Sequence, residues 1–338
     1  MLKKINIKLL TVVATYLVIL LHTAAIPFSY FHLAWSVSVM YEALGRIAFP
    51  LFLLIAGYVS LNKNESLLST LKTRVLDLVI PLIAWSIIYI IYNKEVNADT
   101  TPVSLLELLS KPAYPHMWFI YTMILLYLVT PLLNTFIQNG SQQRVNYTVT
   151  VWFVLASVYV LFDNVKANLL EHKAIPVASN IDMVVYLSGF YIIGGVARRF
   201  NINPKVVISG VIFILSTVLT AVMTYSLSIS TFAPNEVFLF YSAPTLVVVS
   251  LAGFFMLLNA PFQYGKRAIR VVHGLSRLSL GIFFVHMMVL EAVLRLLHME
   301  FESYYSALTI PLIALLCFLV SAAIVWLLRL IPWLRRIT

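Results

Sequence analysis

Ten apolar runs, each long enough to cross a hydrocarbon layer, divide this chain of 338 residues, and they constrain its fold more than anything else in it. They lie at about residues 6 to 27, 39 to 61, 75 to 93, 115 to 137, 146 to 162, 181 to 197, 206 to 227, 237 to 258, 276 to 297 and 307 to 328. A hydrocarbon core of ~30 Å needs about 20 such residues per helix. Backbone groups in lipid must be satisfied within the segment, which favours helices. Composition agrees: 61% of residues are hydrophobic and 11% charged, against roughly half and about a quarter in soluble domains. The expected fold is therefore all-α, a polytopic membrane bundle of about ten transmembrane helices. Nothing in residues 1–338 resembles a separate soluble domain, so one integral membrane domain is expected.

The net charge of +10 reads as topology rather than nucleic-acid binding, because the cations form short clusters between apolar runs and no continuous basic face. Lys3 and Lys4 precede the first run. Every second connection repeats the bias with Lys63, Lys72 and Arg74, then Arg144, then Arg198, Arg199 and Lys205, then Lys266, Arg267 and Arg270; Arg329, Arg335 and Arg336 follow the last run. The alternate connections hold only Lys94, Lys111, Lys166 and Lys173. The positive-inside rule then puts both termini in the cytoplasm. Lys3 and Lys4 before an apolar core, with Thr23-Ala24-Ala25 after it, also fit a cleaved leader, but Ile5 to Ile26 is long enough to span, and a retained first helix is expected. The outer connections, residues 94 to 114 and 163 to 180, carry Glu95, Asp99, Glu107, Asp163 and Glu171; they read equally as a substrate rim or as solvated loops. Cys317 is the only cysteine, so no internal disulfide forms, and no metal spacing is present.

Polar residues inside such runs cost free energy and mark function by default. His22, Glu42, Arg46, Arg74, His116 and His286 are the costly ones. On the first helix Lys8, Thr11, Thr15, Val18 and His22 recur at three- and four-residue steps and share a face. Lys8 and His22 are roughly 21 Å apart along it, so they cannot touch, but one extended ligand can meet both. Arg46 precedes Ala48-Phe49-Pro50-Leu51-Phe52, where Pro50 invites a kink. An arginine in mid-membrane costs about 2.5 to 3.5 kcal/mol on insertion scales, so Arg46 pairs with an acid, Glu42 being one turn away, or binds an anion. Trp118 and Tyr121 fit an interfacial aromatic belt, which leaves His116 unexplained. His286, read as near mid-depth, is at least as well explained by hydrogen-bonded packing.

These residues resemble the membrane-bound acyltransferase-3 family, above all its branch that O-acetylates bacterial polysaccharides such as enterobacterial common antigen. The resemblance rests on His22, on Arg46 to Tyr58 (RIAFPLFLLIAGY), on Lys111 to Leu133 (KPAYPHMWFIYTMILLYLVTPLL) and on Ser276 to His286 (SRLSLGIFFVH). It implies acetyl transfer from cytoplasmic acetyl-CoA to a hydroxyl of a sugar, lipid-linked or polymeric, at the outer face of a bacterial inner membrane. His22 matches the family's first-helix histidine, Arg46 the arginine before its proline-phenylalanine motif, and His116 and Trp118 its fourth-helix motif. Two departures stand out. Thr11 occupies the place of a usual arginine, with Lys8 one turn earlier, and the common Ser-Gly-Tyr is Ala56-Gly57-Tyr58.

Physics and resemblance converge on one expectation. Lys8, Thr11, Arg74, Arg198 and Arg199 hold the donor's phosphate end, and His22 acts as general base on the acceptor hydroxyl. Arg46 or Trp118 stabilises the oxyanion, and an acetyl-histidine intermediate is the variant. Expected partners are acetyl-CoA as co-substrate, a carbohydrate acceptor and membrane lipids, with a homo-oligomer open, and no metal. The competing class is a carrier or exporter of a glycan or small anion, with His22, Arg46 and His116 as relay.

Overall fold

The computed structural model describes residues 2–31, 35–63, 66–97, 108, 111–170, 180–298 and 307–338. Its helices are α1 (Leu2–Ser29), α2 (Trp35–Gly45), α3 (Ala48–Ser60), α4 (Leu67–Val96), α5 (Pro115–Asn139), α6 (Gln142–Ala167), α7 (Asn180–Arg199), α8 (Val206–Thr231), α9 (Pro244–Asn259), α10 (Lys266–Leu296) and α11 (Thr309–Leu328). The protein is an all-α polytopic bundle. Among the described residues nine helical stretches are long and apolar enough to span, α2 and α3 counting as one. The run expected at 181–197 is present as α7, but Asp182, Arg198 and Arg199 near its ends leave it below the apolarity of the other nine.

Helix α1 is the hub, packed on α2, α3, α9, α10 and α11. Its buried face, including Leu10, Ala14, Leu17, Leu21 and Ala24, is nearly inaccessible. Apolar side chains elsewhere, such as Ile83, Ile87 and Ile91 on α4 and Leu312, Leu315 and Leu319 on α11, stay exposed on the outside of the bundle, the pattern of a lipid-facing surface.

Glycines set the closest approaches. A Cβ on Gly57 would lie 1.8 Å from the Tyr191 carbonyl oxygen, and one on Gly194 would lie 2.1 Å from that of Leu54, so α3 and α7 touch backbone to backbone. The turn after α3 is pinned from both sides. Asn62, at φ 92°, takes its backbone N–H to Asn134 Oδ1 (2.8 Å) and its side-chain amide to the Gly195 carbonyl (2.9 Å).

The expected kink at Pro50 is instead a break four residues earlier. The Arg46 N–H still reaches the Glu42 carbonyl (2.9 Å), after which Arg46 and Ile47 leave the helix and α3 starts at Ala48. Pro50 then sits in the first turn of α3, where a missing N–H costs little. Gly45, the last residue before the break, lets α2 pack closely on α1, since a Cβ there would lie 2.8 Å from Leu21 Cα. A second irregularity, the π-turn Leu71–Val75, interrupts α4 at Arg74; such bulges re-aim side chains. Of the acidic rim, Asp99, Glu107 and Glu171, with Lys173, lie outside the described residues.

Candidate active site

Three helices carry three histidines to one place. The ring centroids of His22 (α1) and His286 (α10) are 5.3 Å apart, those of His286 and His116 (the first turn of α5) 4.9 Å, and those of His22 and His116 6.4 Å. His116 and His286 are buried, at 1% and 0% exposure, and His22 is partly exposed. His286 Nδ1 lies 2.6 Å from the Phe283 carbonyl oxygen. A carbonyl only accepts, so Nδ1 carries the proton and Nε2 is the basic nitrogen. That Nε2, the Nε2 of His22 and both ring nitrogens of His116 are buried without a hydrogen-bond partner. Buried polar atoms are normally paired, so these four nitrogens are the ones open to water or a ligand. Among the described residues no three His, Cys, Asp or Glu are arranged to hold a metal ion.

Arg46 and Trp118 sit beside this cluster rather than in it. Arg46 Nε donates to Glu42 Oε2 (3.0 Å) and Nη2 to Glu236 Oε2 (2.7 Å), and its guanidinium lies 5.6 Å from the centre of the Tyr241 ring. Trp118 packs on the same Tyr241 (5.4 Å) and on Phe49 (5.0 Å). The chain Phe49, Phe119, Phe283, His116 links the two groups through successive ring contacts. The Gly45 contact with Leu21 also sets the helix break against the residue before His22.

A cavity of ≈ 330 Å³ lies beside the cluster, separated from His116 by the Phe283 ring. Thr11, Ser60, Arg74 and Ser276 line one end, Ala56 and Ser279 its wall, and Phe119 and Phe283 the end that adjoins His116. The π-turn aims Arg74 into it, with Nη1 donating to Ser60 Oγ (2.5 Å) and the guanidinium 5.7 Å from the Tyr127 ring centre. Lys8 lines a second cavity of ≈ 430 Å³ with Lys4, Tyr264 and His273. Both cavities take residues from α1 and α10, which run parallel and in step: Lys8 and His273 line one, Thr11 and Ser276 the other, and the His22 and His286 rings meet beyond them.

The other two expected phosphate contacts are placed elsewhere. Arg198 Nη1 donates to the carbonyls of Tyr58 (3.1 Å) and Val59 (3.3 Å), and Arg199 Nη1 to that of Gly140 (2.8 Å). Each caps a helix C-terminus, where a cation meets the negative end of the dipole, and neither lines either cavity. Thr11 donates its hydroxyl to Ile7 of its own helix (3.0 Å).

Sequence reasoning passed over Tyr89 and Tyr114, whose rings contact His116 at 5.3 and 5.7 Å, and discounted His286. Tyr89 donates to the Phe284 carbonyl (2.6 Å). Tyr114 and Tyr92 both donate to Glu291, Tyr92 at 2.8 Å. Burial, then the Glu291 carboxylate, push the Tyr114 phenol up, so it remains a donor. The clue in the sequence was the seven-residue step from Ser279 to His286, which places both on one face of α10.

A family model described as an acyltransferase domain matches residues 4–330 of the chain. Comparison with curated proteins and with solved structures gave no match.

Proposed function

Since the chain belongs to the acyltransferase-3 family, we propose that it transfers an acetyl group from cytoplasmic acetyl-CoA to a hydroxyl of a cell-surface polysaccharide or lipid-linked sugar beyond a bacterial inner membrane. The observation that carries this reading is the meeting of three histidines, with unpartnered nitrogens, next to a cavity that Arg74 lines and that Phe283 divides from His116.

A long donor with an anionic head fits the α1–α10 seam. Lys4 and Lys8 meet its phosphates in the ≈ 430 Å³ cavity, the narrow arm passes Thr11, Arg74 and Ser279 in the ≈ 330 Å³ one, and the thioester reaches His22, about 21 Å from Lys8 along the helix. His22 Nε2 takes the proton of the acceptor hydroxyl as that oxygen attacks the thioester carbonyl carbon. The tetrahedral oxyanion collapses, the C–S bond breaks, and the proton passes from His22 to the departing sulfur, leaving an O-acetyl ester and a free thiol. His116, orphaned at both ring nitrogens, offers an N–H to the oxyanion, a contribution of about 2.7 to 4 kcal/mol where such donors are well placed. His286, fixed in one tautomer by Phe283, holds the His22 ring and keeps its own Nε2 available as an acceptor. Arg46, its Nε and Nη2 committed to carboxylates, orders the helix break against α1.

The test is label transfer from acetyl-CoA to an amino-sugar acceptor by purified protein in lipid, comparing the native chain with His22→Ala at matched folding. Acceptor-dependent transfer lost in the variant is expected. Transfer that survives the substitution removes His22 from the chemistry, and glycan uptake into vesicles without transfer makes the protein a carrier.

A further inference from the structure

A third cavity, of ≈ 350 Å³, lies on the opposite side of α10 from the seam. Three arginines line it, Arg277 from α10, Arg329 just beyond α11 and Arg335, together with Leu278, Trp326 and Leu330, and none of its lining residues is acidic. Part of this arrangement is structural. Arg329 Nη1 donates to the carbonyl oxygens of Arg277 (3.0 Å) and Thr338 (2.6 Å), and Arg335 Nε to that of Arg329 (2.6 Å). Capping the C-terminus of α11 accounts for those two side chains. It does not account for Arg277, whose side chain has no hydrogen bond or ion pair among the described residues although it shares the cavity. The three guanidinium groups repel one another: burial, then Arg277 and Arg335 beside it, hold the Arg329 guanidinium below the usual arginine range.

The surroundings say what kind of anion completes the site. Trp326 and Leu330 are 56% and 57% exposed, and Leu327, Ile331 and Trp333 continue the exposed apolar surface past the end of α11. An exposed tryptophan band at the end of a spanning helix belongs at the membrane interface, and basic pockets between helices at that depth suit anionic headgroups. We propose that Arg277, Arg329 and Arg335 bind the headgroup phosphate of an anionic phospholipid, whose acyl chains lie along Trp326 and Leu330. The site is separate from the acyl-transfer seam and stands whether or not that reading holds.

The test is lipid retention by the purified full-length chain, followed by native mass spectrometry during titration with phosphatidylglycerol. Phosphatidylcholine of the same chain length is the zwitterionic control and glycerol 3-phosphate the soluble one. Arg277→Gln, which removes a side chain with no bond to lose, is expected to weaken phosphatidylglycerol retention about fivefold, and Arg277→Gln with Arg335→Gln roughly thirtyfold. Phosphatidylcholine binding is expected to be weaker than phosphatidylglycerol binding and equal in all three proteins. Equal phosphatidylglycerol retention by native chain and Arg277→Gln, or phosphatidylcholine bound as tightly as phosphatidylglycerol, overturns the site. Displacement of the retained lipid by glycerol 3-phosphate overturns the lipid as its occupant.

Discussion

His286 and His22 lie with ring centroids 5.3 Å apart and planes inclined by 35°, and this contact joins the two helices whose parallel seam carries both basic and polar cavities. With Nδ1 bound to Phe283, His286 can turn only its Nε2 toward a ligand or a neighbouring ring. Replacing His286 by Gln is expected to lower kcat by about 10²-fold, the cost of a misplaced reacting group, with KM for the donor little changed. Label-transfer kinetics at matched folding check this; unchanged kcat would return His286 to a packing role.

Arg46 is expected to matter for stability as much as for activity. Arg46→Ala leaves Glu42, fully buried, without its counter-charge, and breaking such a pair from one side costs about 3 to 5 kcal/mol. Glu236, 58% exposed, is screened by water, so Glu236→Ala should cost less than ~1 kcal/mol. Arg46→Lys keeps the charge but loses the fork that reaches two carboxylates, and should fall between. Unfolding of the three variants in one detergent gives the order.

Much of this was legible in one sequence, and the failures share a cause. Apolar runs placed the helices because lipid makes every spanning segment satisfy its own backbone, and burial cost singled out His22, Arg46 and His116 because a charge or imidazole in such a run needs a reason. What one sequence lacks is the register between helices. His286 is hydrogen-bonded to Phe283 and buried, as a packing residue would be, but nothing in the chain says that α10 runs in step with α1 and sets it against His22. Lys8 and Thr11 share a face on paper but line different cavities, because α3, α4 and α5 close around Thr11 and not around Lys8. Arg198 and Arg199 read as phosphate ligands because the carbonyls they cap belong to α3 and the end of α5, remote in sequence. The break falls at Arg46 and Ile47 rather than at Pro50 because a proline in the first turn of a helix is tolerated there.

Substitution of the glycines should separate contact from conformation. Gly57→Ala would set a methyl 1.8 Å from the Tyr191 carbonyl oxygen, which neither backbone can vacate without parting α3 from α7, and the variant is expected to fail to give a monodisperse protein on size exclusion. Gly265→Ala, with nothing within 4 Å of the added carbon, should behave as the native chain.

The cavity makes a separate demand on the donor. Ala56 and Ser279 line its wall, and Ala56→Phe or Ser279→Phe would fill it. Both are expected to raise the KM for acetyl-CoA at least ~10-fold while leaving the acceptor KM near its native value. One lost hydrophobic fit of a methylene is already worth about 1 to 3 kcal/mol. Equal effects on both substrates would place donor and acceptor in the same space.

The central claim is vectorial transfer through the seam to the three histidines. Its most direct measurement uses sealed proteoliposomes with labelled acetyl-CoA outside and an amino-sugar acceptor trapped inside, prepared from the native chain and from His22→Ala. The account predicts label on the enclosed acceptor with the native chain, from the molecules whose basic end faces outward, and none with the variant. Label confined to acceptor added on the donor side, or appearing inside equally with His22→Ala, would contradict it.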